Sequence, residues 1–157
     1  MGTLQINFQF NKAEGDIEPS YQTAIWLEDI EGHYVKTLFL SEYLSYGGYN
    51  DSTICPAWNS QSDWDNAPME AYDAVTRATP PLGEHLYQFG LDSLDLTPGD
   101  YFCNIQVHLI EDYNILFKNK LDISTCGETT SDAIFEPGAY SGAEMVLAQV
   151  IFRIDKN

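Results

Sequence analysis

Thr3-Leu4-Gln5-Ile6-Asn7-Phe8-Gln9-Phe10-Asn11 alternates apolar and polar side chains without a break. Period two is the signature of a strand with one face buried and one face wet. Leu4, Ile6, Phe8 and Phe10 form the inward set. The same grammar recurs downstream. Strands are expected at residues 22–28 and 34–40, joined through Asp29-Ile30-Glu31-Gly32-His33, where Gly32 supplies the positive φ of a tight hairpin. Residues 85–91 form another. A second hairpin follows, with 100–110 and 115–123 turning at Asp112-Tyr113-Asn114. In its first strand Tyr101, Cys103, Ile105, Val107 and Leu109 share a face, which buries the Cys103 thiol. The last strand, 146–154, sends Val146, Ala148, Val150, Phe152 and Ile154 inward.

About seven strands with hairpin connections predict an all-β, immunoglobulin-like antiparallel sandwich with under roughly 10% helix. Neither an internal repeat nor a linker divides residues 1–157, so one domain is expected. At this length about 70% of the unfolded surface is buried without help from metal or disulfide. The hydrophobic share of 44% and aromatic share of 13% agree with a packed core.

One stretch breaks the pattern. Residues 41–68 scatter Tyr43, Tyr46, Tyr49, Trp58 and Trp64 among Ser, Gly, Asn and Asp with no sustained period. So long an unpatterned loop is usually functional. A short helical turn is expected over 69–76 after Pro68, and Thr79-Pro80-Pro81 forces extended backbone.

Seven Lys and Arg stand against 24 Asp and Glu, a formal net charge of −17. Such a surface repels phosphate backbones and anionic lipid headgroups, so neither nucleic acid nor a membrane surface is an expected partner. No apolar run approaches the roughly 20 residues that span a bilayer. The start, Met1-Gly2-Thr3, leads directly into a strand and carries no signal peptide, so the protein is cytoplasmic or a leader has been removed. Cys55, Cys103 and Cys126 allow one bridge and one free thiol, or three free thiols, and none has zinc-ligand spacing.

Ala24-Ile25-Trp26-Leu27-Glu28-Asp29, then Gly32-His33-Tyr34-Val35-Lys36-Thr37-Leu38, resembles the pattern vavWiEDadGkfVrTL. Asp73-Ala74-Val75-Thr76-Arg77-Ala78-Thr79-Pro80-Pro81 resembles DavTGATpp, and Leu96-Thr97-Pro98-Gly99-Asp100-Tyr101 resembles the vpaGdY turn. Gly142-Ala143-Glu144 leads into the final strand in the expected place. Across residues 20–154 the chain is similar to the bacterial family catalogued as domain of unknown function 2271, predicted periplasmic proteins. That resemblance implies an immunoglobulin-like sandwich akin to flagellar hook-cap domains and export to the periplasm or cell surface. It also implies a genomic association of some relatives with flavin transferases.

The sequence offers three kinds of candidate site. Asp73, Thr76 and Thr79 resemble a flavin-attachment motif in which the last hydroxyl is esterified to FMN, with Arg77 replacing its glycine. If that position needs positive φ, a β-carbon costs about 1 kcal/mol. Turn chemistry accounts for the same residues, and Thr79 is expected to be unmodified, with no cofactor. The acidic groups Glu28-Asp29-Glu31, Asp63-Asp65 and Asp92-Asp95 lack calcium-loop spacing and read as solvated faces. His33, His85 and His108 lack metal-ligand spacing, so no metal is expected. Finally, Tyr43, Tyr46, Tyr49, Trp58, Trp64 and Tyr72 either stack on a ligand or fold back to cap an open end of the sandwich. The expected function is non-enzymatic binding or assembly in the periplasm or outside the cell, with an envelope protein or a glycan as partner. Alternatives are a carbohydrate-binding module using the aromatic loop and a redox accessory carrying flavin on Thr79.

Overall fold

Alternating burial runs the whole length of β1, Gly2–Phe10, in a computed structural model that describes residues 2–156. Leu4, Ile6, Phe8 and Phe10 are all but fully buried, as the period predicts. β1 pairs with β5 (Gly83–Gly90) on one side and β10 (Leu147–Lys156) on the other, and β8 (Gly127–Thr130) lies beyond β10. A six-stranded sheet packs against this one. It runs β4 (Thr76–Arg77), β3 (Tyr34–Ser41), β2 (Thr23–Glu28), β6 (Asp100–Ile110), β7 (Tyr113–Asp122) and β9 (Ile134–Glu136). The inner faces meet through Ile6 and Phe8 of β1, Ile25 and Leu27 of β2, Cys103 and Ile105 of β6, and Phe152 of β10. The chain is therefore an all-β sandwich.

The seven long strands lie where the sequence places strands; the three short ones, β4, β8 and β9, carry no period. Gly32 takes φ +85 in the first hairpin, as expected. The second hairpin is tighter than read. Glu111 and Asp112 make the turn, Glu111 in the left-handed region, and Tyr113 already pairs with Ile110.

β10 corrects one assignment. Asn7 faces Ile151 but Gln9 faces Ala148, so two residues, Gln149 and Val150, stand opposite Phe8 alone. Gln149 takes φ +57 at this bulge. An extra residue flips the side-chain phase. Val150, Phe152 and Ile154 stay buried, whereas Ala148 gives up the inner position to Leu147.

The aromatic stretch folds back, although over a sheet face and not over an open end. It forms three short helices, α1 (Glu42–Ser45), α2 (Pro56–Ser62) and α3 (Met69–Val75), with 3₁₀ turns at Gly48–Asn50 and Trp64–Asn66. Helix reaches 17% of the chain, above the expected tenth, chiefly through this layer. The cause lies in the sheet: every residue of β2 is buried, so its outer face also needs a cover. Ala24, Trp26 and Leu40 of the sheet pack against Leu44, Ile54, Cys55, Trp58 and Trp64 of the layer. Pro56 opens α2, where a missing N–H costs nothing. Sheet side chains satisfy the donors there: the Ala57 amide donates to Gln106 Oε1 at 2.9 Å and the Cys55 amide to Asn114 Oδ1 at 3.0 Å.

All three cysteines are free. Cys103 lies between the sheets and Cys55 under the helical layer, and burial pushes both thiols up from their ordinary pKa. Cys126 is exposed. A thiol reagent added to native protein is expected to titrate one equivalent rapidly, at Cys126, and three after unfolding. Fast native labelling at Cys103 would contradict the register of β6. Among the described residues no helix is long and apolar enough to cross a membrane.

Candidate functional site

The six aromatic residues divide three ways. Trp58 and Trp64 are buried, their rings 5.7 Å apart, and serve the second core. The Trp58 indole donates to Thr37 Oγ1 at 3.0 Å and that of Trp64 to the Ser45 carbonyl at 3.2 Å. Tyr49 and Tyr72 are half-buried and tied down. Tyr72 donates to the Trp64 carbonyl at 2.7 Å, and Tyr49 donates to Asp65 Oδ1 at 3.0 Å. The Tyr72 hydroxyl and then the Asp65 carboxylate push the Tyr49 phenol up to about 12. Tyr43 and Tyr46 remain exposed, and Tyr46 lies parallel to Tyr72 at 6.1 Å. Of the two alternatives, folding back describes Trp58 and Trp64, since an apolar ring next to an apolar sheet face is buried there first.

Asp73, Thr76 and Thr79 do not converge. Asp73 is exposed in the last turn of α3, and no hydrogen bond joins it to either threonine among the described residues. Thr76 Oγ1 donates to the Tyr72 carbonyl at 2.5 Å and lies 2.7 Å from Ser45 Oγ. Thr79 Oγ1 accepts from Gln22 Nε2 at 3.2 Å and is half-buried. Arg77 pairs with Ser41 in ordinary strand geometry, so no left-handed strain arises at the position where the motif has glycine. As arranged, these residues do not fit an esterified flavin: one hydroxyl serves the layer, the other holds Gln22, and the carboxylate meets neither.

Two acidic readings change. Glu28 is no solvated charge. Its side chain is 5% exposed and meets Lys118 Nζ at 2.7 Å, the Trp26 indole at 3.1 Å and Gln61 Nε2 at 2.8 Å. His33 does have carboxylate neighbours, because the turn brings i, i+2 and i+4 together. Its Nδ1 lies 3.4 Å from Asp29 and 3.6 Å from Glu31. The donor atoms of the three lie within 4.8 Å of one another. The His33 amide, then that of Glu31, holds the Asp29 carboxyl below its usual range. His33 and Glu31 are exposed and Asp29 partly so, as solvated turn residues commonly are. His108 is structural, its nitrogens 2.6 Å from Ser20 Oγ and 2.7 Å from the Glu111 carbonyl.

What sequence reasoning missed is a cleft of about 640 Å³ between the sandwich and the helical layer. Its floor is the start of β3, one wall is α3, and the other is the end of β5 with the 3₁₀ turn Asp92–Leu94. Val35, Leu38, Ala71, Val75, Phe89 and Leu94 supply its apolar surface. Lys36 spans one end, donating to the Leu94 carbonyl at 2.8 Å, and Glu70 contributes a carboxylate. Deeper in, Phe39 of β3 stacks on Tyr87 of β5 at 4.7 Å, holding the two sheet edges together. The only sequence signal was the small Ala71 and Ala74 on α3, which leave the space open. The family described as predicted periplasmic protein, domain of unknown function 2271, matches residues 3–130. No curated protein and no solved structure matches the chain.

Proposed function

The chain belongs to this family of predicted periplasmic proteins, and from that premise we propose a non-enzymatic binding or assembly role in the cell envelope, with the cleft as the binding surface. The observation that carries the reading is the cleft itself, concave and apolar with two alanines on its outer wall. Concave apolar space with a few polar groups is where ligands gain most from leaving water. The net charge of −17 favours a protein partner over nucleic acid or lipid. A photo-crosslinking residue at Ala74 is expected to form adducts in the envelope of the parent bacterium. The same residue at Glu128, exposed on β8, is expected to form none. Equal yields from both positions would overturn the cleft as the surface. A second reading, carbohydrate binding, draws on the parallel Tyr46–Tyr72 pair, which offers a sugar one exposed ring. Glycan binding lost in Tyr46→Ala would favour it. The flavin reading has no comparable support.

A further inference from the structure

We infer that the cleft takes an extended, cationic segment of a partner polypeptide, which joins the six-stranded sheet as a strand beside β3. This deepens the proposed binding role and rests on it. β3 pairs with β2 from Tyr34 to Leu40, with bulges at Val35 and Leu38, but on its other side, among the described residues, only Leu40 and Ser41 are paired, with Thr76 and Arg77 of β4. Residues 34–38 therefore end the sheet there, along the cleft they line. Across it, β5 pairs only with β1 among the described residues, so its outer edge is open too. Open edges recruit strands, and natural sheets usually blunt them with proline, bulges or covering elements. Here the edge has its two bulges but no proline, and α3 stands off it without covering it, so the gap is the cleft.

The shape specifies the occupant. Residues 34–38 form a floor of five residues, at most about 17 Å at the strand rise and shortened by the bulges at Val35 and Leu38. Alternate side chains of an inserted strand would face Trp64, Ala71 and Val75 on one side and Leu38, Phe89 and Leu94 on the other. Both are apolar, so the central residues are apolar or β-branched, without alternation. The flanks meet acid. Glu70 lines the cleft, and Asp73 and Asp95 are exposed beside it. The one lining cation, Lys36, is engaged with Leu94. A second copy of this chain brings another −17 of charge, whereas a segment flanked by Lys or Arg is attracted. Main-chain bonding to an edge with pockets for side chains is an established mode of peptide recognition.

The probe is a displayed library of twelve-residue peptides panned on the intact chain. Selected peptides are expected to carry four or five apolar residues flanked by Lys or Arg. At saturation they slow hydrogen exchange at the outward amides of residues 34–38. Methylating alternate peptide nitrogens is expected to weaken binding at least about tenfold, the scale of one or two lost main-chain hydrogen bonds. Glu70→Lys is expected to weaken it severalfold at low salt, and Ala74→Trp to abolish it with the circular dichroism unchanged. Acidic peptides, binding indifferent to N-methylation, or no protection at residues 34–38 would each overturn the inference. So would a dimer in which those amides are already protected, since the edge would then hold a second copy. If crosslinks at position 74 persist while no peptide is selected, the strand is wrong and the binding role stands. If both fail, both fall.

Discussion

Trp58→Ala is expected to lower stability by about 3–5 kcal/mol, the range for deleting a fully buried large aromatic side chain. Trp58 has no exposed surface and sits where the helical layer meets the sheet, packed with Trp26, Leu40 and Trp64. Truncation leaves a cavity that short helices anchored by few contacts fill poorly. It also removes the donor to Thr37 Oγ1, which keeps only its bond with Tyr34 at 2.5 Å. Trp58→Phe retains most of the apolar volume and is expected to cost about 1–2 kcal/mol, mainly the lost hydrogen bond. Guanidinium unfolding measures both, and the ratio between them matters more than either value. A loss below about 1 kcal/mol in Trp58→Ala would mean the layer is not packed on the sheet as described.

Lys118→Met is expected to cost about 2–3 kcal/mol. Removing one partner of a buried pair strands the other charge, with typical losses of 3–5 kcal/mol. A third of the Lys118 side chain touches water, and Glu28 keeps the Trp26 and Gln61 donors, so the lower figure applies. The lysine also lies over the Phe102 ring at 4.7 Å, a contact methionine reproduces in part. Combining Lys118→Met with Glu28→Gln is expected to recover much of the loss, because no unpaired charge remains. A double-mutant cycle then yields a coupling above about 1 kcal/mol. Strict additivity would mean that Glu28 gains nothing from Lys118.

Where one face of a strand is buried and the other wet, the sequence announces it, and β1 could be read residue by residue. The strand at β10 was equally legible from Val150 onward, but nothing in the letters marks the bulge at Gln149 that shifts the residues before it. A left-handed residue that is neither glycine nor asparagine is imposed by the neighbouring strand. The helices of the outer layer span only four to seven residues, less than two full periods of an amphipathic pattern. They exist because the sheet beneath requires a cover, and that need comes from Trp26 and Leu40, distant in sequence. For the same reason the sequence left Trp58 and Trp64 open between a ligand platform and a cap. Composition cannot say whether an aromatic ring will meet a partner or its own chain. The cleft was illegible for a different reason: it is made by what β4 leaves uncovered after two residues.

All three tryptophans of the chain, Trp26, Trp58 and Trp64, belong to the cluster beneath the helical layer, and the core between the sheets contains none. Indole emission is thus a spatially selective optical channel. Its wavelength and quenching report on one wall of the molecule, while the amide signal in the far ultraviolet is dominated by the strands. A red shift that precedes the loss of the amide signal during unfolding would time the departure of the outer layer against the melting of the sheets, with no label attached.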